Sequence, residues 1–167
     1  MQSTRERFIV DQNVGHLARW LRFMGFDTLY YKGSKPLELL RIARREGRVI
    51  LTRNSNLVEA GLDPRESGDA SMEKIPILIL QSQDLEDQIR QIFETIPLSS
   101  PPSPFSRCSL CNTLLQKIPK EKVRGRVPFH VFEVQEDFYY CSSCDKFYWQ
   151  GTHFDRMMER IRKWQKE

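Results

Sequence analysis

Hydrophobic positions in the first part of the chain follow two alternating rhythms. Short apolar runs at Phe8–Val10, Thr28–Tyr31, Val49–Leu51 and Ile75–Leu80 read as buried strands. Each is followed by a segment with apolar residues at helical spacing: Val14–Met24, Leu37–Glu46, Ser55–Ala60 and Leu85–Phe93. The order β-α-β-α-β-α-β-α predicts an α/β domain over residues 1–96, a parallel sheet covered by helices. Gly25 and Gly47 each close a helical segment before a strand, the expected C-cap position. Residues 61–74 are polar and turn-rich, which predicts an exposed, mobile loop.

The rhythm breaks at Pro97-Leu-Ser-Ser-Pro-Pro-Ser-Pro104, which can be neither helix nor central strand. Residues 97–106 therefore read as a Pro/Ser-rich linker, and 107–167 as a second, smaller unit. There, Val127–Val134 and Phe138–Tyr140 predict strands. Thr152–Trp164 predicts a terminal helix with Phe154, Met157, Met158, Ile161 and Trp164 along one side. That stripe reads as packing, with a partner-binding face as the alternative.

Composition changes the picture at the cysteines. The chain has four, paired as Cys108-Ser-Leu-Cys111 and Cys141-Ser-Ser-Cys144 with 29 residues between the pairs. Two such turns offer four thiolates to one tetrahedral ion, so the second unit reads as a small C-terminal zinc ribbon. Four sulfurs fill the coordination sphere, which makes the zinc structural. The competing reading is two disulfides. The N-terminal Met1-Gln-Ser-Thr-Arg-Glu-Arg carries no apolar signal region, and no apolar run matches a bilayer. A soluble, cytoplasmic protein is expected.

Charge adds a partner. The net charge is +4, yet residues 1–98 carry 14 basic and 14 acidic side chains while 99–167 carry 12 and 8. Lys117, Lys120, Lys122, Arg124 and Arg126 form one basic run in the ribbon half, with aromatic residues nearby. Such a surface suits a phosphate backbone and exposed bases, or else serves as a solvated face.

In an open parallel sheet, ligands bind at the carboxyl ends of the strands. Those ends carry Asp11, then Lys32–Pro36, then Thr52-Arg53-Asn54, then Gln81–Asp84. Asp11 suits a metal ligand and equally a cap for the following helix. Arg19 and Arg22 share a helix face with His16 and either grip phosphate or make a solvated basic face. Arg53 stands at a strand edge, a better place for a phosphate contact. Asp27 reads as a turn or cap residue. His130 and His153 read as neighbours of the ribbon site or surface residues, and Tyr148 and Trp149 as ribbon core.

Several segments, taken in order, resemble a known family. They are Phe8-Ile-Val-Asp11, Gly15-His-Leu-Ala-Arg-Trp-Leu-Arg22, Met24-Gly-Phe-Asp-Thr28, Glu38-Leu-Leu-Arg-Ile-Ala43, Gly47-Arg-Val-Ile-Leu-Thr-Arg53, Arg107-Cys-Ser-Leu-Cys-Asn112 and Phe147-Tyr-Trp-Gln-Gly-Thr-His153. Together they closely resemble the Mut7-C family, a PIN-like ribonuclease domain fused to a zinc ribbon, over nearly the whole chain. The resemblance implies metal-dependent RNA cleavage, with carboxylates at the strand ends holding Mg²⁺ or Mn²⁺. It places Asp11, Glu38, Asn54 and Asp84 in that centre. The candidate RNA contacts are those read from the residues, Arg19, Arg22, Arg53, Lys120, Lys122, Arg124 and Arg126, with RNA or a ribonucleoprotein as partner.

The chain departs from the family pattern in one direction. An Asp cluster after the second strand is replaced by Lys32-Gly-Ser-Lys-Pro36, leaving Glu38; Leu-Thr-Arg-Asp becomes Leu51-Thr-Arg-Asn54; an acidic pair becomes Gln83-Asp84. Each change removes negative charge. Two expectations therefore stand side by side, a ribonuclease with a depleted acidic centre and an inactive RNA or ribonucleoprotein-binding module.

Overall fold

A computed structural model describes residues 6–61, 75–98 and 103–166. Most of the expected loop at 61–74 and the middle of the linker, residues 62–74 and 99–102, lie outside the described residues.

Four short strands, β1 (Arg7–Val10), β2 (Asp27–Tyr30), β3 (Val49–Thr52) and β4 (Ile77–Ile79), form a parallel sheet in the order β2-β1-β3-β4. Helices α1 (Gly15–Phe23), α2 (Pro36–Glu46), α3 (Asn56–Gly61) and α4 (Leu85–Thr95) follow the strands in turn. Alternation along the strands feeds two cores. Phe8, Val10, Val49 and Leu51 join Leu17 and Leu21 of α1 and Ile89 and Ile92 of α4 on one face. Ile9 and Ile50 join Leu39, Leu40 and Ala43 of α2 on the other. Because both faces are covered, the strands read as continuous apolar runs. Gly47 ends α2 with φ 61°, a left-handed conformation that glycine adopts without a Cβ penalty.

The second unit holds an antiparallel sheet in the order β5 (Gln116–Ile118), β6 (Phe138–Cys141), β7 (Lys146–Trp149). The segment 127–134, expected as a strand, is not one: Phe129–Val134 form a short helix, α5, entered from Pro128. Proline presets the φ of a helix start. The run's apolar residues are also not all buried, since Phe129 and Val134 are 78% and 70% exposed while Val131 is buried. Six apolar-rich residues do not distinguish strand from helix, and β6 takes the less apolar Gln116–Ile118 as its neighbour instead.

The C-terminal helix α6 (Thr152–Lys166) forms as expected, with Ile161 and Trp164 of its stripe buried and Phe154, Met157 and Met158 partly buried against the same core. Ile161 and Trp164 join the core of the α/β sheet, and α6 packs on α4. The Trp164 ring meets Trp20 of α1 edge-on, with centroids 5.0 Å apart. Phe105, at the end of the linker, is buried among Phe23, Tyr139, Tyr148 and Phe154, and its amide donates to the Phe23 carbonyl at 2.8 Å.

Candidate functional site

From β1 the chain crosses to β2 on one side and later to β3 on the other, so the carboxyl ends of β1 and β3 border the point where the order reverses. A crevice forms there because the two connections leave in opposite directions. A small cleft of about 70 Å³ opens at this place, lined among others by Asp11, Asn13, Tyr31, Lys35 and Asn54. Asp11 and Asn54, expected together at the strand ends, do share it. Asp11 is 7% exposed, and both carboxylate oxygens are engaged. Oδ1 accepts from the Asn13 amide at 3.0 Å, capping the turn that leads into α1, and Oδ2 accepts from the Thr52 hydroxyl of β3. The bond from Thr52 to Asp11 ties the ends of β3 and β1 together, and the Asn54 backbone amide donates to Thr52 Oγ1 at 3.0 Å, fixing the hydroxyl from behind.

The other acids are placed differently. Glu38 is exposed on the first turn of α2 and accepts from the Tyr31 hydroxyl at 2.7 Å, a bond that pushes the Tyr31 phenol up. Asp84 is the N-cap of α4, accepting from the Glu86 and Asp87 amides. Among the described residues, the four cysteines are the one group of three or more Cys, His, Asp or Glu side chains close enough to share an ion. Asp11, Glu38 and Asp84 do not form such a group.

The basic residues also divide. Arg19 and Arg53 are exposed. Arg22 is not: at 6% exposure its Nε donates to the Thr28 carbonyl at 2.8 Å and its Nη1 to the Ser109 and Leu110 carbonyls at 3.3 and 2.8 Å. Read as either a phosphate grip or part of a solvated basic face, it instead joins the edge of the sheet to the first cysteine turn, and burial lowers its pKa. In the ribbon, Lys120 and Arg124 lie over the Phe132 ring at 5.2 and 5.0 Å, and Lys120 pairs with Glu136. Arg126 lies over Phe147 and pairs with Asp145; Lys122 is exposed.

Each Cys-x-x-Cys turn is followed by a residue with positive φ, Asn112 at 73° and Asp145 at 50°. Asn and Asp are the side chains that tolerate this conformation best after glycine. The turns bring all four sulfurs within 4.8 Å of one another, and all four are thiols, not disulfides. Cys108 and Cys144 are 3.9 Å apart, Cys111 and Cys141 3.4 Å. Four sulfurs at about 2.3 Å from a zinc ion would stand about 3.8 Å apart, so the group fits a zinc ribbon. Burial pushes the Cys111 thiol up, but hydrogen bonds with Thr113, Cys144 and Cys141 outweigh it and hold Cys111 down to about 6. Cys144 is pushed up to about 12, chiefly because its thiol donates to Cys111. One thiolate thus opposes the next, and a cation is what allows four to ionise together. The Tyr148 hydroxyl stands 3.0 Å from Cys108 Sγ as a partner behind the sulfur.

Sequence reasoning missed how the two units join. Asn112 Oδ1 accepts from the Thr28 amide at 3.0 Å, and its Nδ2 donates to Asp27 at 2.8 Å. With Arg22 on the Thr28 carbonyl, both backbone groups of that edge residue are satisfied from outside the sheet. Asp27 is the acid at this joint. Burial pushes its carboxyl up, but hydrogen bonds from Arg48 and Asn112 and the charges of Arg48 and Arg107 prevail, leaving it at about 2. The asparagine after the first cysteine pair was the visible signal.

The family model of the Mut7-C RNAse domain matches residues 6–161. No curated protein matches the chain.

Proposed function

The chain belongs to the Mut7-C RNAse domain family, and from that premise we propose that it binds single-stranded RNA and does not cut it by a two-metal route. One observation carries the reading: Asp11 is the single carboxylate lining the strand-end cleft among the described residues, and both its oxygens hold protein hydrogen bonds. A pair of divalent ions needs several hard, negative ligands around it. Lys35 lines the same cleft and suits a phosphate oxygen better than a second cation. The four thiols would hold zinc, whose role here is to fix the ribbon and its basic residues, with no open position for chemistry.

A second reading has its own support. Asn54 shares the cleft with Asp11, so one Mn²⁺ held by the two, with water completing its shell, gives a weaker one-ion ribonuclease.

The test is to incubate zinc-loaded protein and its Asp11→Asn variant with labelled single-stranded RNA, with and without Mn²⁺. The proposal expects RNA to be retained by both proteins, with strong salt dependence and no metal-dependent shortening. Cleavage by the wild type that Asp11→Asn abolishes would overturn it in favour of the one-ion nuclease. An absence of RNA binding would overturn both readings.

A further inference from the structure

A second, larger cavity lies away from the strand-end cleft. It is a groove of about 660 Å³ where α1, the ribbon sheet and the start of α6 meet, within the range of about 300–1,000 Å³ common for ligand sites. Its chemistry is one-sided. Arg19 comes from α1, Lys146 from β7 and Arg107 from the strand-like stretch before the first cysteine turn. The chain has three histidines, and His16, His130 and His153 all line this groove. No aspartate or glutamate lines it among the described residues, and neither Arg19 nor Lys146 has an acidic partner there.

Between the cations lie flat apolar surfaces. Trp20, Phe147, Tyr148 and Trp149 contribute to the wall and are only partly buried; Arg160 lies over the Trp20 ring and Arg126 over Phe147, so among the described residues Tyr148 and Trp149 offer the rings without a cation on them. Gly151 leaves room beside the Trp149 indole, since a Cβ there would stand 3.1 Å from Nε1. Cations without counter-charges beside partly open aromatic faces match the two parts of a nucleotide: phosphate for the cations, base for the rings. An acidic peptide would satisfy the cations and leave the rings unused.

We infer that this groove between the two units is a nucleotide-binding site for single-stranded RNA, with Arg19 and Lys146 on phosphates and a base stacked against the partly open aromatic wall at Tyr148 and Trp149. The inference rests on the reading that the protein binds RNA and assigns the place where it does so. The site is composite: α1 supplies one bank and the ribbon with α6 the other. It therefore exists only while the joint made by Arg22, Asn112 and Phe105 holds the units together. Helix α1 also links it to the cleft, because its first turn follows Asp11 and carries His16.

The test uses zinc-loaded full chain and a short labelled oligouridylate. Two of the three tryptophans, Trp20 and Trp149, line the groove, so bound bases quench tryptophan fluorescence. The double variant Arg19→Glu, Lys146→Glu changes exposed residues. It is expected to raise Kd about tenfold or more and to lower the slope of log K against log salt by about 1.4, some 0.7 per lost contact. The control Arg41→Glu, Arg44→Glu makes the same change in net charge on α2 and is expected to leave Kd within about twofold. A thiouridine-containing oligonucleotide, photo-crosslinked and mapped by mass spectrometry, is expected to mark residues 146–154. Wild-type binding that the double variant retains would overturn the groove and leave the RNA reading standing; no wild-type binding would overturn that reading itself. Displacement of the oligouridylate by oligoglutamate at equal charge concentration, without fluorescence quenching by either, would show charge recognition alone and overturn the stacked-base site.

Discussion

At the scale of single residues, the joint between the two units is made of polar side chains that each serve more than one partner. Asp27 is the clearest case. Its carboxylate receives Arg48 Nη1 at 2.8 Å, Arg7 Nε at 3.2 Å and Asn112 Nδ2 at 2.8 Å. Its folded pKa of about 2 lies below the 3.8 of an ordinary aspartate, so the native state binds this proton more weakly than the unfolded chain does. The stabilisation is then complete above pH 4 and is lost as pH falls toward 2. Solvent reaches part of the carboxylate and screens it, which leaves about 1–2 kcal/mol of the full linkage value. Asp27→Asn is expected to lower stability by that amount at pH 7 and to flatten the acid limb of the unfolding curve, measured by urea titration at several pH values. Sequence alone marked Asp27 as a turn or cap residue because its three partners lie 20, 21 and 85 positions away. Arg22 was misplaced for the same reason: periodicity put it on a helix face, but the carbonyls that bury it come from residues 109 and 110.

At the scale of elements, legibility followed length and punctuation. The α/β helices and strands of residues 7–96 stand close to where apolar spacing and glycine caps put them. The ribbon was read less well, because its strands, no shorter than those of the α/β sheet, are not set off by alternating helices and are fixed by Cys-x-x-Cys turns, not by hydrophobic repeats. α6 shows what an element can do beyond its own unit. Its Phe154, Met157, Met158, Ile161 and Trp164 stripe packs into the core formed by α1 and α4. Trp164→Ala is expected to cost about 3–5 kcal/mol in global stability, as for a large aromatic removed from a core, read by thermal or chemical denaturation. A helix belonging to the ribbon alone would lose local order and leave the α/β unfolding transition where it was.

At the scale of the whole molecule, the ribbon is bound to the sheet by hydrogen bonds on Thr28, by Phe105 in the shared aromatic core and by α6. Removal of the metal should therefore be felt in both units. Chelation of zinc-loaded protein is expected to lower Tm in a single transition, with the Thr28 amide losing hydrogen-exchange protection alongside the cysteine turns. Two separate transitions would mean that the units fold independently. The sequence by itself determined the parallel α/β unit, the four-thiol site and the family, because apolar period, turn residues and Cys-x-x-Cys spacing are local and survive in one dimension. Only the tertiary structure decided that Asp11 and Asn54 meet while Glu38 and Asp84 stand apart, that Arg22 is buried, and that three distant histidines line one groove. Those facts depend on the order of strands in the sheet and on how two units pack, which bring together side chains that no local pattern connects.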